Sequence, residues 1–242
     1  MKYISLFSFI LLTSSLTSLN AETFKSSTSQ TSLLELYSSQ GCSSCPPAER
    51  WVSNLLQNNK LWSDFIPVVY HVDYWNYLGW KDPFSDKAFS HRQRTYHKQN
   101  AVSSVYTPGF ILNGEEWRTW FLRRSVPTSN QQVNVLQVSL NKNELTATYD
   151  SSSQLILNAA LLGFGIETDV KSGENLGRSF SENFIVLNQS SISSNNGKWR
   201  LNIPSPGVGK AKRYAIAVWL NAPDKLAPIQ ATGGWISKNN FN

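Results

Sequence analysis

Apolar positions along the chain fall into two regimes. Between Leu33 and Leu112, short apolar runs alternate with segments of helical spacing, whereas from Val133 onward only strand-like runs remain. Leu33, Leu34, Leu36 and Tyr37 form a run suited to a buried strand. Ala48 to Gln57 places Trp51, Val52, Leu55 and Leu56 at helical spacing, which buries one face. Phe65 to Val72 is apolar and β-branched. It predicts a second strand, parallel to the first through a right-handed crossover. Ser85 to Asn100 predicts a polar helix with Phe89, Arg92 and Tyr96 on adjacent turns. Phe110-Ile111-Leu112 predicts a further strand, and Asn113-Gly114 a tight turn into Glu116 to Trp120.

The second regime contains six runs: Val133 to Leu140, Glu144 to Tyr149, Gln154 to Ile166, Ser181 to Leu187, Lys198 to Ile203 and Tyr214 to Leu220. Several alternate polar and apolar residues, and Ser, Asn, Gly and Asp turns separate them. This predicts an all-β, sandwich-like unit over 127–242, after an α/β unit over 22–126. The boundary falls in Arg123 to Asn130, which holds Pro127 and little else apolar. Ala227 to Ile236 is a final apolar stretch that returns to one of the two units. Glu22 to Gln30 is rich in Ser and Thr and reads as a mobile lead-in.

The chemistry concentrates between the first strand and the first helix, in Cys42-Ser43-Ser44-Cys45-Pro46-Pro47. Prolines are tolerated in a first helical turn, where their missing N–H groups would lack partners anyway. Strand, Cys-x-x-Cys, helix is the layout of a thiol–disulfide redox site. At a helix N-terminus the unpaired N–H groups and the dipole favour negative charge. The Cys42 thiol is therefore expected to be acidified, and its thiolate to be the nucleophile. Cys45, one turn later, is placed to resolve a mixed disulfide. These are the only two cysteines in 242 residues. Two blander readings compete. A structural disulfide fits poorly, because a loop this short contributes only about 2 kcal/mol of chain entropy. Structural zinc normally needs four ligands, and there is no second Cys-x-x-Cys.

Other candidates flank this turn. His71 and Asp73 alternate with Val72 at a strand end and are expected on one face. His71 either tunes the thiolate or is simply hydrogen-bonded beneath the aromatic loop. Asn76 to Phe84 predicts an irregular loop beside the redox turn, with Trp80 and Asp82 lining a substrate groove or pinning the loop. Thr107-Pro108 precedes a strand. It is expected to be cis, to face Cys42, and to offer the Thr107 backbone to an extended substrate. His91 and His97 are six apart, on different helix faces, and make no metal pair. No phosphate loop, internal repeat, nucleophilic serine constellation or acid–base carboxylate pair is present.

The N-terminus reads as a secretory signal over residues 1–21: Lys2, an apolar stretch Tyr3 to Leu12, and an imperfect cleavage site at Leu19-Asn20-Ala21. Its apolar core is too short for a permanent span, and no later segment offers a long uncharged apolar run; Leu155 to Ile166 comes closest but is too short and contains Asn158 and glycines. The expected location is therefore periplasmic or secreted, where a disulfide persists. The formal charge of +6 falls to +5 once Lys2 is removed, and it is dispersed, which argues against nucleic acid. Nine tryptophans, many between Trp62 and Trp120, suggest an aromatic core before a lined groove.

The order strand, Cys-x-x-Cys, helix, strand, helix, Thr-Pro, hairpin resembles the thioredoxin fold. More closely, ELYSSQGCSSCPPAE, HVDYWNYLGWKDPF, RQRTY and VYTPGFILNG are similar to an exported thioredoxin-like family catalogued as domain of unknown function 1223. The motifs cover roughly Leu33 to Gly114. The resemblance implies a thioredoxin-like sheet with Cys42 and Cys45 in the redox positions and Pro108 in the cis-proline position. The Ser43-Ser44 dipeptide departs from the Gly-Pro of typical thioredoxins. The expected fold class is thus α/β, a thioredoxin-like domain followed by a C-terminal all-β domain. The expected function is an exported thiol–disulfide oxidoreductase without a cofactor. It would act on exported thiol or disulfide substrates with a redox partner, with catalytic Cys42 and Cys45 and with Thr107, Pro108 and Trp80 at the substrate. The alternative is a redox sensor or a soft-metal protein holding copper between the thiolates and His71.

Overall fold

In the computed structural model, which describes residues 21–206 and 211–238, the apolar runs fold as strands that join across the expected boundary. The expected signal segment lies outside the described residues except for Ala21. The first elements are β1 (Glu22–Lys25), β2 (Ser32–Ser38), α1 (Pro46–Asn54), β3 (Phe65–His71), α2 (Lys87–Lys98), β4 (Gly109–Leu112) and β5 (Glu115–Glu116). There follow β6 (Gln137–Asn141), β7 (Glu144–Thr148), β8 (Leu155–Phe164), β9 (Ile166–Asp169), β10 (Ser179–Glu182) and β11 (Ile185–Ser194). The last are β12 (Lys198–Asn202), β13 (Arg213–Asn221) and β14 (Pro228–Ile236).

Eight strands make one mixed sheet in the order β14-β13-β8-β11-β3-β2-β4-β5. β2 and β3 run parallel, with Leu36 opposite Val69 and Ser38 opposite His71. A four-stranded antiparallel sheet, β1-β6-β7-β12, and a two-stranded hairpin, β9-β10, complete the β structure. The large sheet curls until β14 reaches the start of β2. There the Thr31 N–H donates to Gln230 Oε1 at 2.9 Å, and Gln30 Nε2 donates to the Pro228 carbonyl at 2.8 Å. The Ser/Thr-rich lead-in is not loose: β1 pairs with β6.

This arrangement overturns the expected fold class. The described residues are 42% strand and 14% helix with two α-helices, so the protein is mostly β and not an α/β thioredoxin-like fold followed by a separate sandwich. The physical reason lies at β3. Its second edge is taken by the other half of the chain: the Val69 N–H donates to the Phe184 carbonyl at 2.9 Å, and Ile185 of β11 stands opposite Val69 in parallel register. Apolar runs announce strands, but they do not say which edges will meet.

The two helices cover opposite faces of β2. α1 packs on the Leu36 side, where Trp51 meets Phe110 edge-on at 5.6 Å. α2 lies on the Glu35 and Tyr37 side. Its N-cap Asp86 accepts from the Ala88 N–H, and His97 and Lys98 favour its C-terminal dipole. Arg92 projects from α2 into the core and binds Glu35 through two hydrogen bonds of 2.9 and 2.8 Å. Tyr37 and Tyr96 donate their hydroxyls to the same carboxylate. The Arg92 guanidinium also lies over the rings of Tyr70, Tyr96 and Trp219, 5.4–5.7 Å from their centroids. Tryptophans serve the core as expected, Trp51 with Trp117 and Trp120, and Trp62 with Phe164, Phe184 and Trp235. No helix among the described residues is long and apolar enough to cross a membrane.

Breaking the Glu35–Arg92 pair from one side leaves a buried charge without its partner. Arg92→Leu should cost about 3–5 kcal/mol of unfolding free energy, while Glu35→Leu with Arg92→Leu should lose less than the single variant. Urea unfolding of the three proteins checks this. A double variant weaker than Arg92→Leu would show that the pair is not the source of the loss.

Candidate functional site

The site starts where β2 ends. Ser39, Gln40 and Gly41 leave the strand, and Cys42 and Cys45 follow, joined as a disulfide. Cys45 is the N-cap of α1 and its carbonyl accepts from the N–H groups of Ala48 and Glu49. Pro46 and Pro47 occupy the first helical positions, so the N-terminal donors expected to face a thiolate are absent there. What remains for Cys42 is the field of the helix and the Ser44 hydroxyl, 3.4 Å from Cys42 Sγ. Gly41 is required by a close approach: a Cβ there would stand 3.0 Å from the Cβ of Trp75.

Trp75 is the bridge to the Thr-Pro segment. Its indole N–H donates to Thr107 Oγ1 at 2.7 Å, and the Thr107–Pro108 bond is cis. Thr107 and Pro108 are half-buried. Gln93 of α2 holds the same loop by donating to the Tyr106 carbonyl at 2.7 Å. Trp80 pins its loop, donating to Gln40 Oε1 at 3.0 Å.

Beneath the turn lies a buried polar cluster. His71, at the end of β3, presents Nδ1 to Asp82 Oδ2 at 2.8 Å. Asp82 also accepts from the Gln40 and Phe84 N–H groups. Glu49 from α1 accepts from the Ser38 hydroxyl, and Glu182 from β10 accepts from Gln40 Nε2 at 2.7 Å. One ligand atom from each of Glu49, His71 and Glu182 lies within 4.8 Å of the others. Burial pulls the His71 imidazole down. The charge and hydrogen bond of Asp82, with Glu182 and Glu49 behind it, outweigh this and push it up to about 10. Burial opposes ionisation of Asp82 as well, but His71 and the two backbone donors hold its carboxyl below the usual range. Burial raises Glu49, and raises Glu182 to about 8, in each case against the pull of His71.

Asp73 does not join His71. Ser90 of α2 donates its hydroxyl to the Asp73 carboxylate and accepts from the Asp73 N–H, so this residue holds the helix to the strand end. Sequence reading passed over Glu49, Gln40, Glu182 and Asn175 as site residues. Glu49 carried a signal, an acid on the same helix face as Ala48 and Val52. Glu182 and Asn175 carried none, because they sit more than 130 residues from the Cys turn that they reach.

The β9–β10 hairpin brings those two residues in. Asn175 Nδ2 donates to the carbonyls of Gln40 at 2.8 Å and Cys42 at 3.0 Å, and Glu174 accepts from the Ser43 N–H at 3.3 Å. Ser172 ties the hairpin to the opposite loop through the Gly79 carbonyl at 2.6 Å. Cys42 is consequently only 1% exposed. A groove between α2 and strands β8 and β11, beside Phe89, Asn158 and Gln189, contains none of the Cys-turn residues.

Among solved structures, the chain is similar to protein AGR_C_4864 from Agrobacterium tumefaciens. The identity is 24%, the match covers 84% of this chain and 92% of that one, and the TM-score is 0.59. It is also similar to HBP35 of Porphyromonas gingivalis, at 12% identity over 90% of this chain and 78% of that one, with a TM-score of 0.58. These likenesses concern the fold alone. No curated protein sequence matches. The sequence pattern of one family spans residues 33–221, from β2 through the last residue of β13 and so through every element that builds the Cys turn and its buried cluster, and the chain belongs to that family, described as protein of unknown function (DUF1223).

Proposed function

We propose that the protein is an exported thiol–disulfide oxidoreductase acting through Cys42 and Cys45. The observation that carries this reading is the Cys42–Cys45 disulfide set between a parallel strand end and the first turn of α1. A pair so close in sequence adds about 2 kcal/mol to stability by the loop model, too little to explain the elaborate polar surroundings. In the reduced state the Cys42 thiolate attacks a substrate disulfide. A Cys42–substrate disulfide forms and one substrate thiolate leaves. The Cys45 thiolate then attacks Cys42 Sγ, which releases the second substrate thiolate and restores the internal disulfide. Two electrons pass to the substrate, and a second dithiol partner returns them. Run backwards, the same steps oxidise a substrate dithiol.

Access decides how this site works. The hairpin loop 170–178 covers Cys42, so exchange requires it to lift. Tyr77 and Leu176 stand 79% and 65% exposed on the two loops that meet over the turn, which suits them to contact an apolar substrate segment. In this way strands of the second half govern entry to cysteines of the first.

Cys45→Ser should accumulate mixed disulfides with thiol-containing partners, and Cys42→Ser should not. Trapping in the cell envelope followed by non-reducing electrophoresis reads this; equal trapping by both variants would refute the assigned roles. Asn175→Ala removes two hydrogen bonds worth about 1 kcal/mol each. If lifting the loop precedes attack, reduction of the disulfide by dithiothreitol should accelerate roughly five- to thirtyfold. An unchanged rate would mean that the loop does not gate the sulfurs.

A further inference from the structure

Buried acids in this protein are matched by basic groups in one place and outnumber them in another. Glu35 has a guanidinium and two hydroxyls. The cluster beneath the Cys turn has three carboxylates, Glu49, Asp82 and Glu182, and one imidazole. Among the described residues, no lysine or arginine bonds to Glu49 or Glu182; their donors are the neutral Ser38 and Gln40. His71 Nε2 and Glu182 Oε1 are both buried and have no hydrogen-bond partner, although they lie only 3.7 Å apart. Unmade hydrogen bonds at such depth are costly, so the pair of atoms points to something that fits between them.

We infer that Glu49, His71 and Glu182 form a binding site for a divalent first-row transition cation of the zinc and manganese class. One imidazole and two carboxylates, with no thiolate, is a donor set for such ions. The 3.7 Å separation is near the edge of about 3.4 Å expected of a tetrahedron with bonds of about 2.1 Å. Each ligand is also held from behind: His71 Nδ1 by Asp82, Glu49 by Ser38, Glu182 by Gln40. The Asp82 carboxylate, held in place by the Gln40 and Phe84 N–H groups, accepts the Nδ1 proton, so Nε2 faces the site and a binding cation takes the place of the Nε2 proton. Outer-shell support of this kind fixes ring orientation and tautomer in metal centres. The ligands come from α1, β3 and β10, so a bound ion would tie the cover of the Cys turn to the helix that follows it. The site uses neither sulfur, and it does not depend on the oxidoreductase reading.

The test uses the oxidised protein, stripped with a chelator and titrated with Co²⁺ and with Zn²⁺. We expect about one ion retained per chain after desalting, with visible Co²⁺ bands of nitrogen and oxygen ligation and no thiolate charge-transfer band. Cys42→Ser with Cys45→Ser should retain the ion. Glu182→Gln, with an unchanged circular dichroism spectrum, should weaken retention more than about tenfold. Zn²⁺ should also raise the thermal midpoint of the wild type but not of Glu182→Gln. If Glu182→Gln does not fold, Glu49→Gln serves in its place. Absence of stoichiometric binding to the wild type would overturn the inference. So would retention by the folded glutamine variant, or loss in the double serine variant; the first would leave a cluster neutralised by protons alone.

Discussion

The structure depends on β3 having a neighbour at each edge, β2 along its length and β11 at Val69. Seven residues, Phe65–His71, are buried on both faces, with β2 in parallel register on one side and β11 on the other. A buried backbone cannot leave its N–H and C=O groups unpaired, so a strand this deep must find two neighbours. The first half supplies β2, and the second half supplies β11. Through that shared strand the two halves become one sheet. The end of β3 then emerges, at His71, directly beneath the Cys turn at the end of β2.

The interior handles charge in two ways. On the α2 face of the sheet, Glu35 meets Arg92, Tyr37 and Tyr96, and the buried acid and base are paired with each other. Such a closed set fixes the position of α2 against β2 and reads as architecture. On the α1 face, carboxylates outnumber basic groups and two polar atoms stay unmatched. An arrangement that desolvation should disfavour persists where other contacts hold it in place, and such places are commonly functional. The two clusters differ in access as well. The second lies under a hairpin anchored to the Cys turn by Asn175 and to the facing loop by Ser172, a small number of hydrogen bonds to polar loop backbone.

Proline and aromatic residues shape the turn in ways that offset one another. Pro46 and Pro47 start α1 efficiently but withdraw two donors from the place where a thiolate would want them. The Ser44 hydroxyl stands near Cys42 Sγ instead. Trp75 fills the space over Gly41 and reaches Thr107, so its indole couples the Thr-Pro segment to the Cys turn.

Much of this was legible in the residues. Leu33 to Tyr37, Phe65 to Val72 and most runs from Val133 onward declared their strands because period and β-branching are local properties, whereas Ser181 to Leu187 spans the break between β10 and β11, and the polar half of β11 out to Ser194 carried no such signal. The turn Cys42 to Pro47, the helix after it and the Thr107-Pro108 junction are equally local. His71 could be marked as a strand-end histidine, but its partner could not: Asp73, two residues away, turned to α2, while Asp82 came in through a loop. The merging of two expected units into one mixed sheet was invisible, because strand periodicity says nothing about edges. Glu182 and Asn175 were beyond reach for the same reason. Their role arises only when the β9–β10 hairpin, emerging from the edge shared by β3 and β11, is folded across the Cys turn. Sequence determined the local elements and the placing of the cysteine pair between strand and helix; long-range backbone pairing decided which acids and which cover those sulfurs receive.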